Sequence, residues 1–228
     1  MTQESDKKAA AIEALKLVRD GMMLGIGTGS TVKYFIDGLS DLVKAGVRLR
    51  AVATSIESET LARNAGIAIE NDFSGQLDLD VDGADEIDAE GNLIKGGGGA
   101  LLREKIVAYN SKTVCIIADS TKFKERGLGE FRVPVEVIPY LKDMTRKQVE
   151  KLGGICIFRK NGEFVTDNGN LVMDCDFGII RNPADLETKI KMIPGVAEVG
   201  IFTGLTTLAL ISGAGVVEVK KFRNPVSP

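Results

Sequence analysis

A glycine loop with hydroxyl side chains, GIGTGST at 25–31, separates an apolar run from a stretch with helical character. Such a turn exposes backbone N–H groups, and the dipole of the following helix adds positive potential, so the loop suits an anion. It departs from the dinucleotide fingerprint because Ser30 replaces the third glycine, and no Gly-Lys-Ser/Thr of a P-loop follows. We therefore predict a site for a single phosphate, formed by Thr28, Gly29, Ser30 and Thr31. The alternative is a plain turn in which Ser30 is the helix N-cap.

An acidic stretch, DGADEID at 82–88, follows an alternating strand that is predicted to begin at Leu77. Carboxylates at the end of a parallel strand lie at the carboxyl edge of the sheet, where α/β proteins bind ligands. Asp82 and Asp85 are therefore candidates for orienting hydroxyl groups of a ligand. Two alternatives stay open, a solvated acidic turn and a Mg²⁺ site on these two aspartates, although no other feature of the chain requires a metal.

A run of four glycines at 96–99 lies between Lys95 and a predicted helix that carries Glu104. Consecutive glycines are costly in backbone entropy, so they indicate that backbone approaches a ligand closely or donates N–H groups to it. Glu104 is a candidate for proton transfer, although an isolated glutamate on a helix is more often solvated and paired one turn away. Lys122 follows another predicted strand, where it would either bind an anion or remain solvated.

These four clusters all follow predicted strands, so we expect them to meet at the carboxyl edge of one sheet. Together they offer hydroxyls and N–H groups for a phosphate, lysines for an anion, carboxylates for hydroxyl groups, and a glutamate for proton transfer. This inventory fits a phosphorylated sugar better than a nucleotide.

The composition restricts the chemistry further. The chain of 228 residues has no histidine, which excludes His-based triads, His metal sites and His acid–base catalysis. A net charge of −3 gives no electrostatic footprint for nucleic acid, so we expect no nucleic-acid partner. The polar N-terminal stretch has no secretory pattern and no apolar run reaches membrane-spanning length, so we expect no membrane partner.

Three cysteines, at positions 115, 156 and 175, lie far apart in apolar runs. Their odd number and the lack of a Cys-x-x-Cys spacing argue against a disulfide framework or a zinc site. We therefore expect three buried thiols in a reducing cytoplasm, and hence a cytoplasmic protein.

The order of the predicted elements indicates what positions these clusters. Helical patterns alternate with strand patterns through the first half of the chain, beginning with an amphipathic helix at 7–18, a short strand at 23–27 and a helix at 30–44. This alternation implies an α/β fold with a mostly parallel, Rossmann-like sheet and helices on both faces.

The pattern changes near Gly127. The following segments read β-α-β-β-α-β, with Asn-Gly turns between the central strands, which is the ferredoxin-like order. An apolar tail then offers one or two strands that rejoin the main sheet. We therefore predict a main α/β domain formed by 1–127 and 205–228, and a small ferredoxin-like α+β domain at 128–204.

Seven segments of the chain together resemble one known family, type A ribose-5-phosphate isomerase. In chain order they are GIGTGST, VDGADEID, LIKGGGGALLREKI, ADSTKF, PVEVIP, TDNGN and IPGV. The resemblance extends from about Lys7 to Val217, which is nearly the whole chain.

The resemblance implies an α/β main domain, a small ferredoxin-like lid, a homodimer or homotetramer, and neither metal nor organic cofactor. It also implies the interconversion of D-ribose 5-phosphate and D-ribulose 5-phosphate in the pentose phosphate pathway. Carried over by position, the general base falls on Glu104, and we assign Asp82, Asp85 and Lys95 to catalysis beside it. The implied substrate-binding residues are Thr28, Gly29, Ser30, Thr31, Asp82, Gly83, Ala84, Asp85, Lys95, Gly96, Gly97, Gly98, Lys122 and Lys7, with Lys8 as the alternative to Lys7.

These residues suggest a mechanism in which Glu104 takes the C2 proton and returns it at C1 through an enediolate. Lys95 and N–H groups of the glycine run would stabilise the enediolate oxygen. The alternative from another class is a non-catalytic phosphosugar sensor of related fold. Such regulators usually carry a basic DNA-reading helix pair, and this sequence has none.

Overall fold

A computed structural model describes residues 2–222 of the chain. Its α-helices are α1 (Gln3–Leu15), α2 (Ser30–Lys44), α3 (Ile56–Asn64), α4 (Leu101–Tyr109), α5 (Lys142–Glu150) and α6 (Pro183–Lys191). Its strands are β1 (Met23–Ile26), β2 (Arg50–Ala53), β3 (Ala68–Ile69), β4 (Leu79–Asp82), β5 (Glu86–Asp88), β6 (Leu93–Ile94), β7 (Val114–Asp119), β8 (Phe123–Lys124), β9 (Val133–Val137), β10 (Ile155–Phe158), β11 (Leu171–Asp176), β12 (Val196–Val199), β13 (Ile201–Phe202), β14 (Leu208–Gly213) and β15 (Val216–Lys221). Within residues 2–222, no helix is both long enough and apolar enough to cross a bilayer.

The described residues form two compact units. Within residues 2–222, the first takes in 2–84, 103–123 and 204–222, and the second takes in Asp85–Leu102 and Lys124–Thr203. The domain bounds drawn from the sequence remain a prediction. They differ from these units mainly at 85–102, which groups here with the second unit.

The first unit is built on a seven-stranded sheet in the order β15-β14-β7-β4-β1-β2-β3. Neighbouring strands are parallel except for β15, which pairs antiparallel with β14. The α/β fold and the return of the C-terminal strands to this sheet are therefore as predicted. The chain moves outward from β1 in both directions, so the carboxyl ends of β1 and β4 lie at the point where the strand order reverses.

Alternation along the central strands sends different side chains to the two faces of this sheet. On one face Leu24 and Ile26 of β1 join Leu79 and Val81 of β4 in the core that α1 and α2 cover. On the opposite face Met23 packs with Leu77 and with Val107 of α4. The central strands of the sheet are thus buried on both faces, which explains the nearly continuous apolar runs of β1 and β7.

The N-terminal helix begins earlier than its apolar spacing predicts. We expected a helix at 7–18, but α1 spans Gln3–Leu15. Thr2 is the N-cap, and a reciprocal capping box with Ser5 satisfies the first backbone N–H groups. The cap therefore fixes the helix start, and the polar first turn belongs to the helix.

The second unit contains a four-stranded antiparallel sheet in the order β10-β11-β9-β12, with α5 and α6 between its strands along the chain. Its core includes Val135 and Val137 of β9, Met173 of β11 and Ile190 of α6. A second sheet has the order β13-β6-β5-β8. The strands and helices of the antiparallel β10-β11-β9-β12 sheet follow one another along the chain in the order β-α-β-β-α-β, which is the order the sequence suggested.

A buried glutamate secures the turn before β11. Oε1 of Glu136, a residue with no exposed surface, accepts hydrogen bonds from Thr166 Oγ1 at 2.9 Å, Asn168 Nδ2 at 3.1 Å and Asn170 Nδ2 at 2.9 Å. Three donors on this one oxygen offset part of the cost of burying the carboxylate. The TDNGN segment at 166–170 therefore has a structural function in this unit.

For two residues of the acidic stretch, the alternative of a solvated acidic turn is wrong. Glu86 and Asp88 lie in strand β5 and are buried. The Glu86 carboxylate accepts the N–H groups of Gly129 and Phe131, at 2.7 and 2.6 Å. Asp88 accepts the N–H groups of Glu90 and Asn92, each at 2.9 Å. Both carboxylates hold backbone in place, which a sequence pattern alone does not distinguish from ligand binding.

The expectation of three free thiols is also wrong. Cys156 and Cys175 form a disulfide between β10 and β11, with 4.1 Å between their Cα atoms. They are direct cross-strand partners in this hairpin, a register that the sequence does not reveal. Cys115 remains a buried free thiol in β7. Burial, together with the neighbouring Asp80 carboxylate, raises the pKa of the Cys115 thiol well above its usual range.

Candidate active site

The glycine loop joins the carboxyl end of β1 to the first turn of α2. Gly29 is the N-cap residue, with φ at 127° and no side chain to cap the helix, and Ser30 is already helical. The alternative in which Ser30 caps the helix is therefore wrong. The first turn of α2 carries no acidic residue. Its N–H groups and positive dipole end are thus available to an anion at the sheet edge.

Asp82 fastens this loop to the neighbouring strand. Its Oδ1 atom accepts hydrogen bonds from the N–H of Thr28 at 3.0 Å and the N–H of Gly83 at 2.7 Å. A Cβ atom at position 27 would lie 2.0 Å from the same oxygen, so only glycine fits there. The first glycines of the motif therefore let a buried carboxylate approach the backbone, and the third supplies the positive φ that starts the helix.

A hydroxyl cluster beneath the loop was missed in the sequence. Oγ1 of Thr28 lies 2.7 Å from Thr54 Oγ1, 2.8 Å from Ser55 Oγ and 3.2 Å from Ser58 Oγ. Ser58 in turn donates to the carbonyl of Gly27 at 2.6 Å. The three partners are buried at the carboxyl end of β2 and the start of α3. The signal for them was the hydroxyl-rich run TSIES directly after a parallel strand.

Lys7 lies on the side of α1 that approaches α2. Its Nζ atom pairs with Glu4 Oε1 at 2.6 Å, and Tyr34 of α2 donates to Glu4 Oε2 at 2.7 Å. These two donors lower the pKa of the Glu4 carboxyl, with the Lys7 hydrogen bond the larger cause. The Lys7 side chain is 14% exposed, whereas Lys8 is an exposed residue. Of the two lysines, Lys7 is therefore the one tied to the helix that bears the glycine loop.

Glu104 lies in the first turn of α4 and is only 3% exposed. The alternative of a solvated helix residue is therefore wrong. Val107, three residues further along and hence on the same helix face, packs against the sheet face that carries Met23. A Cβ atom on Gly25 of β1 would lie 2.4 Å from Val107, which shows how closely α4 approaches this strand.

Asp80 and Asp82 are the acidic residues of β4, and each is 1% exposed. Alternation along the strand places both on one face, and Asp80 lies beside Gly25 and Asp82 beside Gly27. This is the face that α4 covers, so Glu104 shares it with two buried aspartates. Asp80 was not among the predicted site residues, although its position two residues before Asp82 would have indicated it.

Lys122 ends a short 3₁₀ helix, Ser120–Lys122, directly after β7. Asp119 caps this turn by accepting the N–H of Thr121 at 3.1 Å, and it also accepts Gln3 Nε2 of α1 at 3.2 Å. The half-buried Lys122 therefore stands at the same carboxyl edge as the glycine loop, on the far side of β4.

The second unit carries Asp85, Lys95 and the glycine run, whereas Gly83 and Ala84 end the segment of the first unit that contains β4. Asp85 accepts the N–H of Gly97 at 2.8 Å, and the glycine run forms a tight turn closed by Gly99 N–H on the Gly96 carbonyl at 2.9 Å. Lys95 is 3% exposed, and its Nζ atom lies 5.7 Å from the centre of the Phe202 ring. Within this unit the structure brings together Asp85 and the glycine turn.

The fold and these residues define a doubly wound α/β protein in which a helix begins at a glycine N-cap beside buried carboxylates at the carboxyl edge of the sheet. Residues 50–215 match the family model described as ribose 5-phosphate isomerase A, or phosphoriboisomerase A. The chain therefore belongs to the ribose 5-phosphate isomerase A family.

Individual relatives agree with this assignment. A ribose-5-phosphate isomerase A of Picrophilus torridus is 50% identical over 95% of this chain and 99% of its own length. The solved ribose 5-phosphate isomerase of Plasmodium falciparum is 38% identical, with a TM-score of 0.92 over 96% of this chain and 98% of that chain. A D-ribose-5-phosphate isomerase in complex with phospho-erythronic acid is 37% identical, with a TM-score of 0.93 over 97% of this chain and all of that chain.

Proposed function

We propose that this chain interconverts D-ribose 5-phosphate and D-ribulose 5-phosphate by proton transfer through an enediolate. The observation that carries the proposal is the buried Glu104, which shares a sheet face with Asp80 and Asp82 beside the glycine loop. Membership of the isomerase family supports the same substrate. A buried carboxylate can act as the base that removes a proton next to a carbonyl, and the N-terminus of α2 can bind the phosphate of the same substrate.

Glu104 is the proposed general base, which removes the C2 proton of the aldose and delivers it to C1. The electron pair of the broken C–H bond passes into the enediolate, and the carbonyl re-forms at C2. Asp82 and Asp85 orient the sugar hydroxyl groups and relay the proton between O1 and O2. No atom is lost or gained in this sequence, and the proposal involves neither a metal nor an organic cofactor.

The enediolate oxygen is stabilised in this proposal by Lys95 and by N–H groups of Gly96, Gly97 and Gly98. A preorganised donor of this kind typically contributes about 3 to 4 kcal/mol to the transition state. Gly83 and Ala84 supply backbone beside the sugar, since they connect Asp82 to Asp85. The low exposure of Lys95 supports such a function, because a buried cation acts in a low dielectric.

The phosphate is bound, in this proposal, by the N–H groups and hydroxyls of the segment from Thr28 to Thr31. Lys7 and Lys122 contribute positive charge at the same sheet edge. Binding of the remote phosphate holds C1 and C2 against the base, so binding energy lowers part of the activation barrier. Support comes from the N-cap geometry of Gly29, which leaves the first turn of α2 without a side-chain cap.

The experiment that tests the function is a coupled assay of purified protein with ribose 5-phosphate, in which appearance of the ketose is followed with and without EDTA. Turnover that EDTA does not change supports a carboxylate-driven isomerase without a metal. Turnover abolished by EDTA would contradict the metal-free mechanism. No turnover, with ribose 5-phosphate still raising the melting temperature, would favour the alternative of a phosphosugar sensor.

A homodimer or homotetramer and a cytoplasmic location also belong to this proposal. Both rest on the family resemblance. Two of the three cysteines form a disulfide, so the cysteines no longer support a reducing compartment. Light scattering on the purified protein would determine the oligomeric state, and fractionation of the source cells would determine the location.

A further inference from the structure

An arginine of the second unit holds the glycine turn from one side. Arg159 Nη1 donates to the carbonyl oxygens of Gly96 and Gly97, at 3.1 Å each. The other edge of the guanidinium forms a bidentate pair with Asp174, at 3.0 Å from Nε and 2.5 Å from Nη2. The Arg159 side chain is 15% exposed and also lies over the Phe164 ring, 5.2 Å from its centre.

The two carbonyls determine where the N–H groups of the turn point. The peptide units are trans, so the C=O and N–H of each unit face opposite ways. Because the Gly96 carbonyl faces Arg159, the Gly97 N–H faces away and donates to Asp85 at 2.8 Å. By the same geometry the Gly97 carbonyl on Arg159 turns the Gly98 N–H toward the Asp85 side, at an exposed position.

A glycine peptide needs such a restraint. Glycine accepts positive and negative φ almost equally, so a peptide unit between two glycines flips at low cost. The Gly96 carbonyl is held twice, by Arg159 and by the Gly99 N–H at 2.9 Å. For the Gly97 carbonyl the donor is Arg159. The Arg159 side chain therefore fixes the orientation of the Gly97–Gly98 peptide unit.

We propose that Arg159 is a positioning residue for the isomerisation, which fixes the Gly97–Gly98 peptide unit so that the Gly98 N–H donates to the enediolate oxygen. The inference rests on the proposed function, in which the glycine run binds that oxygen. Arg159 contacts backbone carbonyls and Asp174, so it acts through the peptide unit. Only a guanidinium has enough donors in a rigid plane to bind a carboxylate on one edge and two carbonyls on the other.

The test compares Arg159→Gln and Arg159→Lys with a matched control, Arg146→Gln. Arg146 also pairs with carboxylates of the second unit, Asp143 and Glu150, and both of these partners lie on its own helix, α5. We expect Arg159→Gln to lower kcat by about 10- to 100-fold, since loss of one preorganised oxyanion donor costs up to about 1,000-fold. KM for ribose 5-phosphate should change little, and the control should keep both constants. Arg159→Lys keeps a cationic donor, so its kcat should lie between those of Arg159→Gln and Arg146→Gln.

A binding measurement separates positioning from a general loss of structure. In phospho-erythronate a carboxylate occupies the place of the enediolate, while inorganic phosphate probes the anion site alone. We expect Arg159→Gln to weaken phospho-erythronate binding by about the factor lost in kcat and to leave inorganic phosphate binding unchanged. If Arg159→Gln does not fold, Arg159→Lys carries the same comparison at smaller amplitude.

Two results would overturn the inference. One is a folded Arg159→Gln protein whose kcat matches that of Arg146→Gln. The other is an Arg159→Gln protein that loses affinity equally for phospho-erythronate and for inorganic phosphate. Absence of isomerase activity in the unaltered protein would instead remove the proposed function. An active protein in which Arg159 is dispensable would remove only the assignment of Arg159.

Discussion

The carboxylate of Asp82 accepts the backbone N–H of Thr28 at 3.0 Å, across the carboxyl ends of β4 and β1. This contact joins a strand-end acid to the loop that starts α2, and it is possible because position 27 has no side chain. The same carboxylate accepts the Gly83 N–H, at 2.7 Å. The glycine loop and Asp82 at the end of β4 are therefore structurally coupled, and a change in either one is expected to affect the other.

Glu104→Gln should lower kcat by about 10²- to 10⁴-fold, because the amide has the shape of the carboxyl but cannot accept a proton. Binding of ribose 5-phosphate, followed by calorimetry, should stay close to that of the unaltered protein. Glu13→Gln is the control and should keep full activity, because Glu13 is a partly exposed residue of α1 that pairs with Lys16. Retention of more than about a tenth of kcat in Glu104→Gln would remove Glu104 as the base.

Thr28→Val should destabilise the protein by about 1 to 3 kcal/mol, because it leaves the buried hydroxyls of Thr54, Ser55 and Ser58 without their shared partner. Urea unfolding measures this loss, and KM should rise as the loop loses its support. Thr60→Val is the control, since its hydroxyl is exposed and bonds only to a helix carbonyl at 2.8 Å. Equal stability of the two variants would show that the hydroxyl cluster is unimportant.

Lys7→Gln should raise KM for ribose 5-phosphate by about tenfold, which corresponds to about 1.4 kcal/mol of lost attraction to the phosphate. Lys8→Gln is the matched control, because it removes the same charge from the neighbouring, exposed position. Initial-rate kinetics at fixed ionic strength distinguish the Lys7→Gln variant from the Lys8→Gln variant. If Lys8→Gln has the larger effect, the assignment of Lys7 to the phosphate is wrong.

Ser30→Ala combined with Thr31→Ala should raise KM several-fold while kcat stays nearly constant, since the hydroxyls bind a remote group. The effect is limited because the backbone N–H groups of α2 remain. Ser40→Ala in the same helix is the control. An unchanged KM in the double variant would contradict the assignment of these hydroxyls to the phosphate.

Asp78→Asn should reduce the free energy of unfolding near neutral pH by about 1 kcal/mol. Asp78 accepts Lys112 Nζ at 2.8 Å and the Met23 N–H at 3.0 Å, and the Lys112 bond is the larger cause of its lowered pKa. Because the folded-state pKa is lowered, this stabilisation is present above the ordinary aspartate pKa and is lost as pH falls through the folded value. Urea unfolding from pH 7 down to pH 3 should therefore show the difference shrinking. Asp41→Asn, at an exposed pair, should show little difference at any pH.

Much of the fold follows from local patterns in the sequence. Apolar runs and helical spacing located β1, α2, β7 and the alternation that gives a parallel sheet, and α2 was predicted at its observed bounds. These features depend on neighbours a few residues away, which a sequence displays directly. The start of α1 was wrong because its cap at Thr2 lies outside the apolar pattern.

The sequence by itself determined the residue types of the proposed chemistry: no histidine, a glutamate after a glycine run, and hydroxyls and glycines after the first strand. Only the tertiary structure decided which acidic side chains are available to the proposed chemistry. Glu86 and Asp88 hold backbone in β5, whereas Asp80, Asp82 and Glu104 share one face of the sheet. The tertiary structure also paired Cys156 with Cys175 and placed Arg159 on the glycine turn. These relationships join residues far apart in the chain, so they depend on strand register and packing rather than on any local pattern.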